Sequence, residues 1–350
     1  MARLLITGGA GFIGTNFVYH WLEKHPGDRV VVLDALTYAG NLDNLTGAHG
    51  HLDFSFVQGD ILDQALVETL IRDHDLDTLV HFAAESHVDR SIVGPDPFIQ
   101  TNVVGTHALL KAAKNCWLDS GTGRPHRFHH VSTDEVFGSL GPGDSPFNEK
   151  SPHAPNSPYA ASKAASDHLV RAYHKTYGLD ISLSNCSNNY GPFQFPEKLI
   201  PLCISHILMD LPLPIYGDGK QIRDWLFVAD HNWAIDLILS LGASGAVYTI
   251  GGNNELTNLE LVTRLCQRMD EKFKENPDLA RRFPAAPPAR GRESAELITR
   301  VADRPGHDRR YAVDGSLIKS ELGVVPREDF DSGLDKTLDW YLSAPEEFRG

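Results

Sequence analysis

Thr133, Asp134 and Glu135 stand in a row at the end of a buried-looking strand, Arg127 to Ser132, and Tyr159 and Lys163 follow with a four-residue spacing. Together they offer a hydroxyl, two carboxylates, a phenol and an ammonium, enough to move several protons on one substrate. A Tyr and a Lys four apart on a helix share a face, and the ammonium can lower the phenol's pKa from its reference of about 10 toward a usable base. Most such pairs are solvated helix neighbours, so the local structure decides. Ser157-Pro158 supplies an N-cap and a first-turn proline, and Ala, Ser, His and Leu residues carry a helix on to about Thr176. Tyr216-Gly-Asp-Gly-Lys220 has the same spacing, but Gly-Asp-Gly is turn chemistry and its two side chains need not align. Asp134 and Glu135 read either as loop carboxylates turned to solvent or as a pair whose crowding separates their pKa values. Their place after a strand favours the second reading, because open α/β sheets bind ligands at the carboxyl ends of their strands.

An electron acceptor is written at the N-terminus. Arg3 to Thr7 reads as a short buried strand, Gly8 to Gly14 as a tight turn and Thr15 to Lys24 as an amphipathic helix. Gly8, Gly11 and Gly14 keep the spacing G-x-x-G-x-x-G, which lets backbone approach a pyrophosphate at a positive helix N-terminus. The triplet alone is weak, but here it lies between strand and helix. A second strand, Arg29 to Leu33, ends in Asp34, about twenty residues on, where a carboxylate bonds a ribose 2'-hydroxyl. That carboxylate repels a 2'-phosphate, and Ala35 and Leu36 offer no arginine to accept one, so NAD is favoured over NADP. The plainer reading of Asp34 is a strand-end residue capping a turn.

The 350 residues allow one large domain or two modest ones, and the formal net charge of −14 opposes nonspecific nucleic-acid binding. An anionic substrate would therefore need local positive charge, for which Arg223, Arg304, Arg309 and Arg310 are candidates. Cys116, Cys186, Cys203 and Cys266 lack C-x-x-C spacing and read as reduced, packing thiols of a cytoplasmic protein. His129 and His130 adjoin on a strand and point to opposite faces, and no metal site is expected. Met1 to Ile6 is too short for a signal peptide, and no apolar run reaches membrane-spanning length, so a soluble chain is expected.

Strand and helix signals alternate through Phe54 to Gln58, Gln64 to Asp73, Thr78 to Ala83, Pro97 to Asn115, Arg127 to Ser132, Ser157 to Thr176 and Ile181 to Asn185. This is the pattern of an α/β fold with a doubly wound parallel (Rossmann) sheet. Past about Tyr190 the regularity breaks into Pro- and Gly-rich stretches with isolated helices, Leu199 to Met209 and Thr257 to Met269, the second opened by the capping box Thr257-x-x-Glu260. We expect a dinucleotide-binding domain over 1–189 and a smaller C-terminal α/β substrate lobe over 190–350, with room for late segments to return to the large domain. The charged, Pro/Arg-rich residues Asp270 to Glu296 read as a surface excursion.

Seven segments together resemble the dTDP-glucose 4,6-dehydratases, which are extended short-chain dehydrogenase/reductases. They are Thr7 to Gly14, Ala83-Ala-Glu-Ser-His-Val-Asp-Arg-Ser91, Val131-Ser-Thr-Asp-Glu-Val136, Tyr159-Ala-Ala-Ser-Lys163, Asn188-Asn-Tyr-Gly-Pro192, Gln221-Ile-Arg-Asp-Trp225 and Arg304-Pro-Gly-His-Asp-Arg-Arg-Tyr311. They span nearly the whole chain, and the Thr-Asp-Glu triplet separates this family from the sugar epimerases. Phe137 departs from the family's usual Tyr and reads as packing; the Asp270 to Glu296 stretch is longer than usual.

The resemblance implies that Tyr159, helped by Thr133, takes the proton of the sugar's 4-hydroxyl while a hydride passes from C4 to NAD, with Lys163 holding the Tyr and the nicotinamide ribose. It further implies Glu135 as the base at C5, Asp134 as the acid at the departing 6-hydroxyl, and return of the hydride to C6. Implied cofactor contacts, beside the glycines, are Phe12, Ile13, Asp34, Ala35, Leu36, Thr37, Asp60, Ile61, Ala83, Ala84, Thr101 and Asn189. For the nucleotide sugar they are Ser86, Thr133, Asn188, Lys198, Leu199, Pro214, Ile215, Tyr216, Asn258 and the loop Arg304, Pro305, Gly306, His307 and Asp308. Arg223 would pair with the diphosphate, although a turn arginine bridging to Asp224 is the plainer reading. The family usually dimerises through helices of the large domain, so a homodimer is implied. Two other readings share part of the pattern. A nucleotide-sugar 4-epimerase would keep the glycines and Tyr159/Lys163 without needing Asp134-Glu135, and a catalytically silent NAD-binding regulator could lose Tyr159, Lys163 or Glu135.

Overall fold

A computed structural model describes residues 1–120 and 123–344. The chain begins with β1 (Arg3–Thr7), α1 (Phe12–Lys24), β2 (Arg29–Asp34), β3 (Phe54–Gln58), α2 (Gln64–Asp73) and β4 (Thr78–His81). β1 and β2 are continuous apolar runs because helices cover both faces of the sheet they enter. A short helix, α3 (Val88–Val93), precedes α4 (Asp96–Phe98), which continues through a π-helical stretch, Ile99–Gly105, into α5 (Thr106–Lys114). The single helix expected over Pro97 to Asn115 is thus present with a wider central turn.

β5 (Arg127–Thr133), α6 (Pro158–Tyr177) and β6 (Ile181–Cys186) complete the unit that carries the candidate chemistry. β5 is central and polar, and its histidines divide between the sheet faces. His129 Nδ1 lies 2.9 Å from Ser182 Oγ, while His130 faces His81 and Asp167. Burial pushes both far below the usual imidazole range, so they are neutral packing groups. Ser157 caps α6 by accepting the Ala160 N–H at 3.1 Å, and Pro158 occupies its first turn.

Beyond β6 come β7 (Asn188–Tyr190), α7 (Leu199–Met209), β8 (Leu213–Tyr216), β9 (Ile222–Phe227), α8 (Val228–Leu241), β10 (Ala246–Ile250), β11 (Glu255–Thr257) and α9 (Asn258–Glu275). They are followed by α10 (Asp278–Arg282), β12 (Ile298–Val301), α11 (Ser316–Leu322) and α12 (Phe330–Ser343). The main sheet has the order β10-β6-β5-β4-β1-β2-β3 with every pair parallel. Strand order reverses between β1 and β4, and the crevice beyond their carboxyl ends is where such a sheet binds ligands. β10 joins this sheet and α8 packs on α1, although both follow residue 190. A second core gathers α7, β8, α9, α10 and α12 beside a three-stranded sheet, β11-β9-β7, and a β8–β12 pair.

Residues 270–296 correct the reading of a surface excursion. α9 runs on to Glu275, and Phe273, Leu279 and Ala286 enter the second core together with Leu297 just past the stretch. Ser294 is fully buried against Asp270. The charges that dominate the composition lie on the outer side, where Arg290 and Arg292 pair with Asp210; a few widely spaced apolar anchors suffice to dock the segment. Phe137 packs against Phe147 and His153 in a small cluster of its own.

Candidate active site

The glycine turn fits a pyrophosphate for two structural reasons. A Cβ on Gly8 would meet Ala83 N at 2.6 Å, and one on Gly14 would overlap the Gly8 carbonyl, so α1 can approach β1 and β4 this closely only with glycines. Gly11 caps α1 without a side-chain hydrogen bond, and the first turn carries no acidic residue. The leading N–H groups of α1 are therefore left to an anion. Asp34 ends β2 and accepts the N–H of Ala10 at 2.9 Å and of Leu36 at 2.8 Å. Each oxygen keeps a lone pair for a ribose hydroxyl, so the turn-capping and ribose-binding readings are compatible.

From this turn one cleft of ≈ 320 Å³ runs along the carboxyl ends of the strands, a size typical of ligand sites. Of the expected cofactor residues, Gly8, Gly11, Phe12, Ile13, Gly14, Asp34, Ala35, Thr37, Asp60, Ile61, Ala83, Ala84, Thr101, Tyr159, Lys163 and Asn189 line it. Leu36 does not; its backbone, at φ 52°, serves instead to turn its N–H onto Asp34.

At the far end β5 delivers Thr133, Asp134 and Glu135, and α6 delivers Tyr159 and Lys163, all lining the same cleft. Lys163 Nζ donates to Val131 O at 2.8 Å, and burial lowers its pKa to about 8. The expectation that Lys163 lowers the Tyr159 phenol meets a stronger effect. Burial, reinforced by the Glu135 carboxylate, holds the phenol well above its usual range, while the nearby Thr133 hydroxyl opposes this. Asp134 is pushed well above the usual carboxylate range by burial and then by Glu135 and Asp224. Burial also raises Glu135, but Arg223, Arg304 and Lys198 pull it back. Both carboxyls thus sit above their usual range, Asp134 the further of the two, because Glu135 and Asp224 add to its burial while three cations oppose the rise at Glu135. Asp134 Oδ2 and Asn188 Oδ1 are buried with no hydrogen-bond partner among the described residues.

Of the expected substrate residues, Ser86, Thr133, Asn188 and Lys198 line the cleft. Leu199, Pro214, Ile215, Tyr216, Arg223, Asn258 and Arg304 to Asp308 lie outside its lining, and Ile215 is buried in the second core. Arg223 bridges backbone, donating to Ile222 O at 2.7 Å and Asp308 O at 3.0 Å with its guanidinium over the Tyr311 ring. Asp224 is turned away from it and accepts the N–H groups of Gly252 and Asn254. Arg304 pairs with Asp89 at 2.7 Å. Arg309 and Arg310, considered as local cations, are engaged with Asp218 and Glu255. Sequence reasoning passed over Glu85 and Glu197 in the cleft and Asp167 beneath Lys163. Asp167 had a usable signal, since it lies one helical turn past Lys163 on the same face of α6.

A parallel sheet switching direction at an uncapped glycine turn, with a Tyr/Lys helix beside a strand-end carboxylate pair, defines an NAD-dependent enzyme of the extended short-chain dehydrogenase/reductase class. The family described as GDP-mannose 4,6 dehydratase matches residues 5–337. The dTDP-glucose 4,6-dehydratase of Xanthomonas campestris pv. campestris (strain B100) is 54% identical over 345 residues, covering 98% of this chain and 94% of that protein. The crystal structure of DesIV, a dTDP-glucose 4,6-dehydratase from Streptomyces venezuelae with NAD bound, superposes with a TM-score of 0.85 at 46% identity over 97% of this chain and 96% of that one. The NAD complex of the dTDP-glucose 4,6-dehydratase from Bacillus anthracis gives a TM-score of 0.84 at 42% identity over 99% and 98%. The chain belongs to the dTDP-glucose 4,6-dehydratase family.

Proposed function

We propose that the protein dehydrates dTDP-glucose to dTDP-4-keto-6-deoxyglucose, with Tyr159 as base at the 4-hydroxyl, Glu135 as base at C5 and Asp134 as acid at the 6-hydroxyl. NAD, when bound, accepts the hydrogen that leaves C4 and returns it to C6. Tyr159 and Thr133 share the 4-hydroxyl end of the cleft, and Lys163 lies beside the phenol's helix face. Once C4 is a ketone the C5 proton is acidic, and Glu135, where Arg223, Arg304 and Lys198 oppose the rise that burial causes, is suited to take it. Asp134, pushed well above the usual carboxylate range by burial and its two carboxylate neighbours, is suited to protonate the departing hydroxyl.

The observation that carries this reading is the adjacent carboxyl pair lining the cleft, with Asp134 pushed further above its usual range than Glu135, which an epimerase would not need. Residues Ser86, Asn188 and Lys198 are proposed to hold the nucleotide sugar. Arg223, Arg304 and the loop through Asp308 are proposed to act from behind the carboxylates, setting their charge. A homodimer in the cytoplasm belongs to the same proposal. It is supported by four free, buried cysteines among the described residues, by the family habit of pairing through helices of the large domain, and by the absence of any described helix long and apolar enough to cross a membrane. The test is to supply dTDP-glucose and UDP-glucose separately and follow the alkali-induced absorbance of a 4-keto-6-deoxy product. Strong signal with dTDP-glucose is expected, and a 4-epimer without that absorbance would replace this reading.

A further inference from the structure

Asn189 lines the cleft among the expected cofactor residues, and its side chain is an amide whose two ends offer different chemistry. Nδ2 can only donate and Oδ1 can only accept. The broad torsion of a terminal amide sets no strong preference between the two orientations, so the surroundings must choose which end a ligand meets.

The surroundings choose with two side-chain bonds. Asn189 Nδ2 donates to Ser187 O at 3.0 Å, within the same short stretch of chain. The other bond comes from a distant helix: His231 Nδ1 lies 2.8 Å from Asn189 Oδ1, although 42 positions separate the two residues. The order of atoms fixes the tautomer. Ser187 O accepts, so Nδ2 must face it; Oδ1 then faces the ring, and an oxygen that accepts requires the hydrogen on His231 Nδ1. A neutral imidazole has one N–H, which leaves a lone pair on Nε2, an atom buried with no hydrogen-bond partner among the described residues. Burial agrees with a neutral ring, lowering its pKa to about 3.

The fold holds both partners firmly. His231 is fully buried in the first turn of α8, which follows β9 directly, and β9 is the strand that pairs with β7, the strand of Asn189. The neighbouring Asp230 accepts the N–H groups of Arg327 and Glu328, each at 3.0 Å, and so braces the same turn from the chain that leads into α12. On the other side the Asn189 carbonyl accepts Gln194 Nε2 at 3.0 Å, which fixes the backbone from which the amide projects.

We propose that His231 is a positioning residue for the cofactor: its Nδ1–H holds the Asn189 amide in one orientation, so that NAD always meets the same end of it. Without this bond the amide keeps only its local tie to Ser187 and leaves a buried oxygen lone pair unmatched. This inference rests on the assignment of Asn189 to the cofactor.

The test follows exchange of bound NAD for isotopically labelled NAD in the holoenzyme, read by mass spectrometry. His231→Leu, which removes the donor, should speed exchange by roughly tenfold, the scale of one hydrogen bond. His231→Asn, which can place an N–H near the position of Nδ1, should restore the wild-type rate. Adding His231→Leu to Asn189→Ala should bring no further acceleration, because the two residues act as one unit. A His231→Leu effect that persists in full beside Asn189→Ala would overturn the proposal and confine His231 to packing of α8, as would a His231→Leu protein that exchanges NAD at the wild-type rate. Asn189→Ala without effect would instead remove Asn189 from the cofactor site, and the role of His231 with it. A wild-type measurement covers the case in which His231→Leu does not fold. Nitrogen-15 spectra of histidine-labelled holoenzyme, with the His231 signal assigned by its loss in His231→Asn, should show a neutral ring protonated at Nδ1; a hydrogen on Nε2 would overturn the proposal.

Discussion

Tyr159 packs its ring edge-on to Phe98, with centroids 6.3 Å apart, so Tyr159→Phe should leave fold and NAD content intact and remove only the oxygen. Turnover should fall by about 10²- to 10⁴-fold, and near-normal turnover would reject Tyr159 as the base. The carboxylates should separate under substitution. Glu135→Gln cannot take the C5 proton, so reduced-cofactor absorbance should build up on adding dTDP-glucose while solvent deuterium at C5 falls. Asp134→Asn should instead keep C5 exchange and stall at loss of water. If both variants exchange C5 equally, the two roles are not divided between these residues. Types and spacing made these five side chains legible, because Tyr159 and Lys163 must share a helix face and Asp134-Glu135 must follow a strand. Their electrostatics were not legible. The ammonium of Lys163 was expected to govern the phenol, yet burial governs it, and burial depends on what the fold stacks above β5. Asp224, 47 positions past the end of the helix that carries Lys163, acts on Asp134 only through tertiary approach.

Among the elements, the βα turn is the least tolerant. Gly14→Ala would force α1 away from the Gly8 carbonyl, so we expect loss of bound NAD and a lowered Tm, measured on protein as purified; full NAD occupancy would show that the turn can shift. The β9–loop junction makes a second case. Arg223→Ala deletes two hydrogen bonds from a charged group, worth about 1.5–3 kcal/mol each, and frees the chain at Asp308, whose charge acts on Glu135. Nucleotide-sugar affinity should drop while NAD affinity holds, as read by calorimetric titration of both; unchanged sugar affinity would remove Arg223 from the site. The parallel strands were readable because continuous apolar runs such as Val30 to Leu33 have only a doubly covered sheet to enter. The segment 270–296 was misread because its anchors, Phe273, Leu279 and Ala286, lie too far apart to make a periodic signal. Likewise the π-helical turn at Ile99–Gly105 has no sequence period of its own.

At the scale of the whole molecule, the net charge of −14 sets a long-range field against a diphosphate, and the structure answers it locally with Lys198, Arg223 and Arg304 around Glu135. Which of the candidate arginines would gather there could not be read from the chain, since Arg309 and Arg310, only a few residues past Arg304, are turned outward to Asp218 and Glu255. The same cleft is lined by the proposed cofactor residues and by Thr133, Asp134, Glu135, Tyr159 and Lys163. Oxidation, elimination and reduction then share one chamber, and a sugar that has lost water has no second site to visit before hydrogen returns to it. The hydrogen taken from C4 should therefore reach C6 of the same molecule. A mixture of 4-deuterated dTDP-glucose and carbon-13-labelled dTDP-glucose, turned over together by the wild-type enzyme and read by mass spectrometry, should give deuterium at C6 only in product without carbon-13. Deuterium scrambled into the carbon-13 product would mean that the intermediate leaves the cleft between steps, and deuterium retained at C4 of an epimer would mean that Asp134 and Glu135 do not carry an elimination at all.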